Sequence, residues 1–187
     1  WESVAESLSQ AASPELLQPY QFIFDSLLLR AAPDLAEYAR PSFANGTPFL
    51  AGVTHLCGRI YDEFEFDPKA TNVATPLTEV MRKRHGVCQD FAHVAIAALR
   101  SLGLPARYVS GYLRTHPPEG KPRLVGADAS HAWVAVWCGD DDWVDLDPTN
   151  DVIPSTDHIT VAWGRDYADV CPIQGVVTGG GQHIMSV

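Results

Sequence analysis

Gly86-Val87-Cys88-Gln89-Asp90-Phe91-Ala92-His93, continued by Val94-Ala95-Ile96-Ala97-Ala98-Leu99-Arg100-Ser101-Leu102-Gly103-Leu104-Pro105, is the most informative run in the chain. Past the cysteine, apolar residues fall at Phe91, Val94, Ala95, Ala98, Leu99 and Leu102, the spacing of a helix with one buried face. Gly86 offers a break before it, and Gly103 with Pro105 a stop after it. Cys88 is therefore expected at a helix N-terminus, where unpaired N–H groups and the helix dipole favour negative charge. A thiol placed there loses its proton more easily than a free cysteine, and the thiolate is the reactive form. The same stretch also reads as a small buried hydrophobe starting an ordinary helix. Taken alone it leaves both open.

Two later segments supply context. Ser130-His131-Ala132-Trp133-Val134-Ala135-Val136-Trp137 is a β-branched and aromatic run, read as a buried strand with a histidine at its start. The polar turn Cys138-Gly139-Asp140-Asp141-Asp142 leads to Trp143-Val144-Asp145-Leu146-Asp147-Pro148-Thr149-Asn150, where Pro148 ends the strand. An antiparallel hairpin of these two strands puts His131 and Asp147 at the same end. A carboxylate-held histidine facing a cysteine at a helix tip is an arrangement of nucleophile, base and orienting group. Val144 and Leu146 share one face while Trp143, Asp145 and Asp147 share the other, so alternation does not choose between the two aspartates.

With Gly86 to Ala92 as a Gly-x-Cys-x-x-Phe-Ala helix start, His131 to Val134 as His-x-Trp-Val, and Trp143 to Thr149 as Trp-x-x-Leu-Asp-Pro-Thr, the chain resembles the transglutaminase-like superfamily of papain-like thiol enzymes. The bacterial branch carrying cysteine-protease labels is the best match. The resemblance extends over about residues 45 to 175. It implies an α+β fold with the papain-like, transglutaminase-core arrangement: a central helix starting at the cysteine, packed on an antiparallel sheet that carries histidine and aspartate. It also implies Cys88 as nucleophile, His131 as general acid/base and Asp147, the carboxylate before the proline, as the residue orienting the imidazole.

The composition fits a globular protein. The chain has 187 residues, 46% of them hydrophobic and 19% charged, the balance of one folded domain rather than a disordered segment. A net charge of −10 argues against a nucleic-acid partner. No apolar run is long enough to cross a bilayer, and no signal peptide is visible, so a cytoplasmic location is expected. Cys57, Cys88, Cys138 and Cys171 are widely separated, without the C-x-x-C or paired Cys/His spacing of a zinc site. No metal or cofactor is expected, and one bridge among Cys57, Cys138 and Cys171 is compatible with the spacing but not needed.

In chain order, residues 1–48 read as a helical, peripheral segment and 49–187 as the core of a single catalytic domain. Ser13-Pro14-Glu15 and Pro33-Asp34-Leu35 look like helix starts. Phe49 to Phe64 carries Val53, Leu56 and Ile60 as a core-facing seam. Thr75-Pro76-Leu77 reads as a cap with proline in the first helical position, opening a short helix to Arg84. Ala106 to Arg114 alternates as a strand, with Gly111 marking a bulge or a close backbone approach. The proline-, glycine- and charge-rich segment Thr115 to Ala129 reads as a loop, either a substrate-contacting lid or a plain crossover. Asp157 to Tyr167 reads as a strand and turn, and Gly179-Gly180-Gly181 as a flexible loop.

His93, His85 and His158 are weighed against His131 as the base, and only His131 has the strand–aspartate context. Asp90 fits the first helical turn as a dipole partner. Trp133 and Trp143 are expected to flank the site and shield it from water. The chemistry implied is acyl transfer at an amide of a protein or peptide substrate through a thioester. Water as acceptor gives a cysteine peptidase or amidase, and an amine acceptor gives a protein-glutamine transglutaminase. No EF-hand calcium loop is visible, which favours the hydrolytic outcome. A non-catalytic binding module on the same fold is the reading from another class.

Overall fold

The helix at the centre of the computed structural model is α6, Cys88–Arg100. The structure describes residues 1–9, 14–116, 119–120, 123–127, 129–139, 142–172 and 175. Gly179-Gly180-Gly181 lies outside the described residues, as do Ser13, Asp140 and Asp141. Before α6 come α1 (Glu2–Ser9), α2 (Leu17–Tyr20), α3 (Pro33–Ala39), α4 (Phe49–Glu63), β1 (Glu65–Phe66), α5 (Leu77–Lys83) and β2 (His85–Gly86). After it come β3 (Ala106–Leu113), β4 (Ser130–Trp137), β5 (Trp143–Leu146), β6 (His158–Gly164) and α7 (Tyr167–Val170). The four long strands form one sheet in the order β5-β4-β3-β6, every neighbouring pair antiparallel.

Sequence periodicity predicts one buried face for α6, but every residue from Asp90 to Arg100 is buried. The positions off the apolar stripe are filled by Ala92 and Ala97, small enough to let a second layer approach, and by polar groups that find partners. A helix apolar all round belongs inside. On one side it meets the sheet through Ala106, Tyr108, Ala132, Val134, Val136 and Leu146. On the other it meets α3, α4 and α5, with Val53, Leu56 and Ile60 of α4 fully buried as the seam predicts. Gly103 ends the helix at φ 74°, a left-handed backbone that suits glycine.

Within residues 1–48, read from the sequence as peripheral, several described side chains belong to the core. Leu29, Leu35, Tyr38, Ala39 and Phe43 enter the same core cluster as α6. Buried Arg100 explains part of this: it donates to the carbonyls of Ala106 (2.8 Å), Phe24 (3.2 Å) and Arg165 (2.7 Å). Burial lowers its pKa to about 10, with Asp166 opposing. Asp166 in turn accepts from the Leu28 and Ala168 amides, each at 2.8 Å. Opposite polar groups of the core thus hold the early segment in place, a link that hydropathy does not encode.

The sheet face away from α6 carries Val109, Trp133 and Ala135. Phe22 covers it with edge contacts to Trp143 (5.3 Å) and Trp163 (6.0 Å). The Arg107 guanidinium lies over both indoles, 4.1 and 4.5 Å from the ring centres. Trp143 therefore sits on Arg107, paired across the hairpin with Trp137, far from the His131 end of β4. Of the two tryptophans expected beside the site, only Trp133 is there.

Smaller differences have local causes. α5 starts at Leu77 with Pro76 as its cap, because the Thr75 hydroxyl accepts from the Asn72 amide (2.9 Å) instead of capping the helix. Pairing of β3 with β6 shifts register between Ser110 and Gly111, the bulge read from Gly111. No helix among the described residues is long and apolar enough to cross a membrane. None of the four cysteines, all of them among the described residues, is in a disulfide.

Candidate active site

Cys88 is the first residue of α6. Its approach is set by Asp90, whose carboxylate accepts from the Val87 amide (2.9 Å) and from the Thr71 hydroxyl (2.6 Å). This closes the helix end in the manner of a cap, worth about 1 kcal/mol. Gly86 has no alternative: a Cβ there would stand 2.8 Å from Asp90 Oδ2. Burial raises the Asp90 pKa against the lowering effect of those two hydrogen bonds. The parallel pairing of β1 with β2 fixes the chain just before the cysteine, with the Asp67 amide on the Gly86 carbonyl at 2.9 Å.

His131 lies at the start of β4, opposite Gly111 of β3, and is 1% exposed. Its Nε2 is 2.8 Å from Asp147 Oδ2. Among the described residues no partner meets Nδ1 at full hydrogen-bond geometry, and that nitrogen lies against Gly126, where a Cβ would come within 2.6 Å. Gly126 takes φ 91°, so both its backbone and its missing side chain are needed. The Val125 amide donates to Asn150 Oδ1 at 2.7 Å, tying this part of the 115–129 loop to the site. Burial disfavours the imidazolium, but the hydrogen bonds and charges of Asp147 and Cys88 outweigh it and hold the His131 pKa up to about 9.

Asp147 is fully buried. A reciprocal backbone bridge with Val152 closes the turn that follows it. Oδ1 accepts from the Thr149 amide (2.9 Å), and Oδ2 accepts from Asn150 Nδ2 (2.7 Å) as well as from His131. Burial alone would raise its pKa; hydrogen bonds from His131, His158 and Asn150 hold it well below the usual carboxylate range. Asp145 is separate, accepting from Trp133 Nε1 at 2.9 Å. The two aspartates that alternation left equal are thus told apart by their partners.

Cys88, Gln89, Tyr108, Ser130, His131 and Tyr167 are among the residues lining one cavity of about 510 Å³. Among the described residues of its lining, Cys88, His131 and two tyrosines are the titratable side chains. The other thiols differ in setting: burial and the charges of Asp147 and Asp151 push the Cys57 thiol up, and burial with Asp142 pushes Cys138 up to about 11. His93 is buried; its Nε2 accepts from the Tyr167 amide at 3.2 Å, and burial lowers its pKa to about 4.

One residue escapes sequence reasoning. His158, at the start of β6, places Nε2 3.1 Å from Asp147 Oδ2. A signal exists in hindsight: β4 and β6 flank β3 from either side, and each begins with or near a histidine at the same end. His131, Asp147 and His158 present three ligand-type atoms within 4.8 Å of one another. Their N···O separations of 2.8 and 3.1 Å are hydrogen-bond lengths, Asn150 donates to the same oxygen, and the side chains are 0–3% exposed. These residues fit a hydrogen-bonded network rather than a metal centre.

Comparison with known proteins agrees with this architecture. The model of the transglutaminase-like superfamily matches residues 36–148. An uncharacterized protein of Mycobacterium tuberculosis is 49% identical over 145 residues, covering 75% of this chain and 46% of its own length. The chain thus spans about half the length of these curated relatives. A protein-glutamine gamma-glutamyltransferase of Pseudomonas aeruginosa is 32% identical over 107 residues, 53% of this chain and 16% of that protein. Among solved structures, a candidate cysteine protease from Cytophaga hutchinsonii superposes with a TM-score of 0.67 at 30% identity, over 82% of this chain and 49% of that one. On sequence and fold alike, the chain belongs to the transglutaminase-like superfamily.

Proposed function

We propose that the chain catalyses acyl transfer at amide bonds of a protein or peptide, through Cys88, His131 and Asp147, with water as the usual acceptor. One observation carries this: a cysteine at a helix tip shares a cavity with a histidine whose far nitrogen is held by a buried carboxylate. His131 takes the Cys88 proton, and Asp147 steadies the imidazolium and its orientation. The thiolate adds to the amide carbonyl, and the Cys88 amide at the start of α6 faces the developing oxyanion. Protonated His131 gives its proton to the departing amine, the C–N bond breaks, and a thioester remains. Water, deprotonated by His131, then adds to the thioester and releases the acid and the thiol.

The hydrolytic outcome rests on the likeness to the cysteine protease-like structure, over 82% of the chain, and the glutamine transferase is the second match. That second match supports transfer to an amine as the other reading. A binding module without chemistry is disfavoured by the polar investment around Asp147. The test is mass spectrometry of glutamine-containing peptides incubated with the protein, with and without a primary amine. Deamidation or backbone cleavage that Cys88→Ser abolishes supports the hydrolase, and amine incorporation supports the transferase. Unchanged peptides under both conditions would overturn the reading.

A further inference from the structure

We propose that His158 is a positioning residue of this site: by donating its Nε2–H to the Asp147 oxygen that also holds His131, it limits how strongly that carboxylate retains the His131 proton. The inference rests on the acyl-transfer reading. Its basis is geometry: His158 Nε2 is 3.1 Å from Asp147 Oδ2, and its side chain is 3% exposed. The Trp133 indole packs edge-on against the ring at 5.2 Å and an interplanar angle of 86°, fixing its plane. Among the described residues its buried Nδ1 has no partner, and the hydrogen bond to Asp147 is the polar contact the ring makes there.

Asp147 would be held without His158, since the Thr149 amide and Asn150 already grip both oxygens. The third donor on Oδ2 must therefore act on charge more than on place. A hydrogen bond to a carboxylate spreads its negative charge and weakens its pull on other donors. His131 must both accept a proton from Cys88 and release it to the leaving amine, so an over-strong Asp147 would trap it as imidazolium.

The groups facing this network are Cys88 from α6, Asp147 and Asn150 after β5, and His158 from β6. From α4, the buried Cys57 thiol feels the charges of both Asp147 and Asp151. At the β6 start, Arg114 pairs with Asp157 at 3.6 Å.

The test compares His158→Gln, whose amide nitrogen can stand where Nε2 stands, with His158→Asn, too short to reach Asp147. Peptide turnover and Cys88 alkylation are followed across pH on the whole chain. The wild-type profile should carry its alkaline limb at about 9. In His158→Asn that limb should rise by about one pH unit and turnover should fall severalfold, while His158→Gln stays with wild type. A His158→Asn profile that superimposes on wild type, or an equal shift in His158→Gln, would overturn the proposal. If His158→Asn does not fold, nitrogen NMR of the wild-type rings decides: a hydrogen on His158 Nε2 supports the proposal, and a bare Nε2 refutes it. Failure of the underlying reading looks different, since wild type would then lack any His131-dependent limb.

Discussion

Asp147→Asn isolates the charge behind His131. The His131 pKa stands at about 9 against an ordinary 6.5. That difference is about 2.5 units, or ~3 kcal/mol in favour of the imidazolium, after burial has taken its share. Asparagine keeps the size of the side chain and can keep the Thr149 contact, but it carries no charge. Burial then opposes protonation with Cys88 as the remaining support, so His131 should fall back to about 6.5 or lower. At about pH 7.5 its protonated fraction drops from about 97% to about 9%, roughly tenfold. Turnover should fall further, on the order of 10²-fold, since the general acid is then both scarce and poorly oriented. The assay is an NMR titration of the His131 ring carbon, assigned by its absence in His131→Ala, with Cys88→Ser measured alongside to separate the sulfur's share. If His131 titrates near 6.5 in wild type, or does not move in Asp147→Asn, the electrostatic reasoning is wrong.

His93 governs acid stability. Burial lowers its pKa to about 4, so the unfolded chain takes up a proton from about pH 6.5 downward that the folded chain refuses. Stability should fall by about 3 kcal/mol between those limits, partly offset by Asp90, whose raised pKa works in the other direction. His93→Gln keeps an acceptor for the Tyr167 amide and should flatten the decline of urea midpoints with acid; an unchanged slope would exclude His93 as its source. Gly126→Ala places a methyl 2.6 Å from His131 Nδ1 on a left-handed backbone. It should cost about 1–3 kcal/mol in stability and at least about tenfold in turnover, and a fully active variant would show that the loop does not shape the site. Gly111→Ala meets the Ile159 backbone and the Trp133 ring at the β3 bulge; thermal melts should show a loss of about 3 kcal/mol or more.

Local rules reach some parts of this molecule and not others. α6 and the β4–β5 hairpin are legible because their signals, a helical period and a polar turn between β-branched runs, lie within about twenty residues. The same short-range arithmetic brings His131 to the end of the hairpin that holds the aspartates, but the choice of Asp147 over Asp145 comes from the family resemblance. His158 is out of reach because its place depends on β6 pairing with the far edge of β3, after a register shift at Ser110/Gly111. Gly126 has no local meaning until the loop closes on Asn150 and His131. The early segment looks detachable by hydropathy, yet Arg100 and Asp166 reach its backbone across more than seventy residues of sequence. Trp143 is placed by register: pairing with Trp137 carries it to the opposite end of the strand from His131.

The central claim is that one of four thiols is activated by a histidine, and the molecule carries its own controls. Native protein is treated with limiting iodoacetamide at about pH 6, where ordinary thiols are mostly protonated, and each cysteine is quantified by peptide mass spectrometry. Cys88 should be modified well ahead of Cys138 and Cys171, and His131→Ala should erase that lead while leaving the other two unchanged. Modification of Cys88 at the pace of Cys138 and Cys171, or a lead that survives in His131→Ala, would contradict the account.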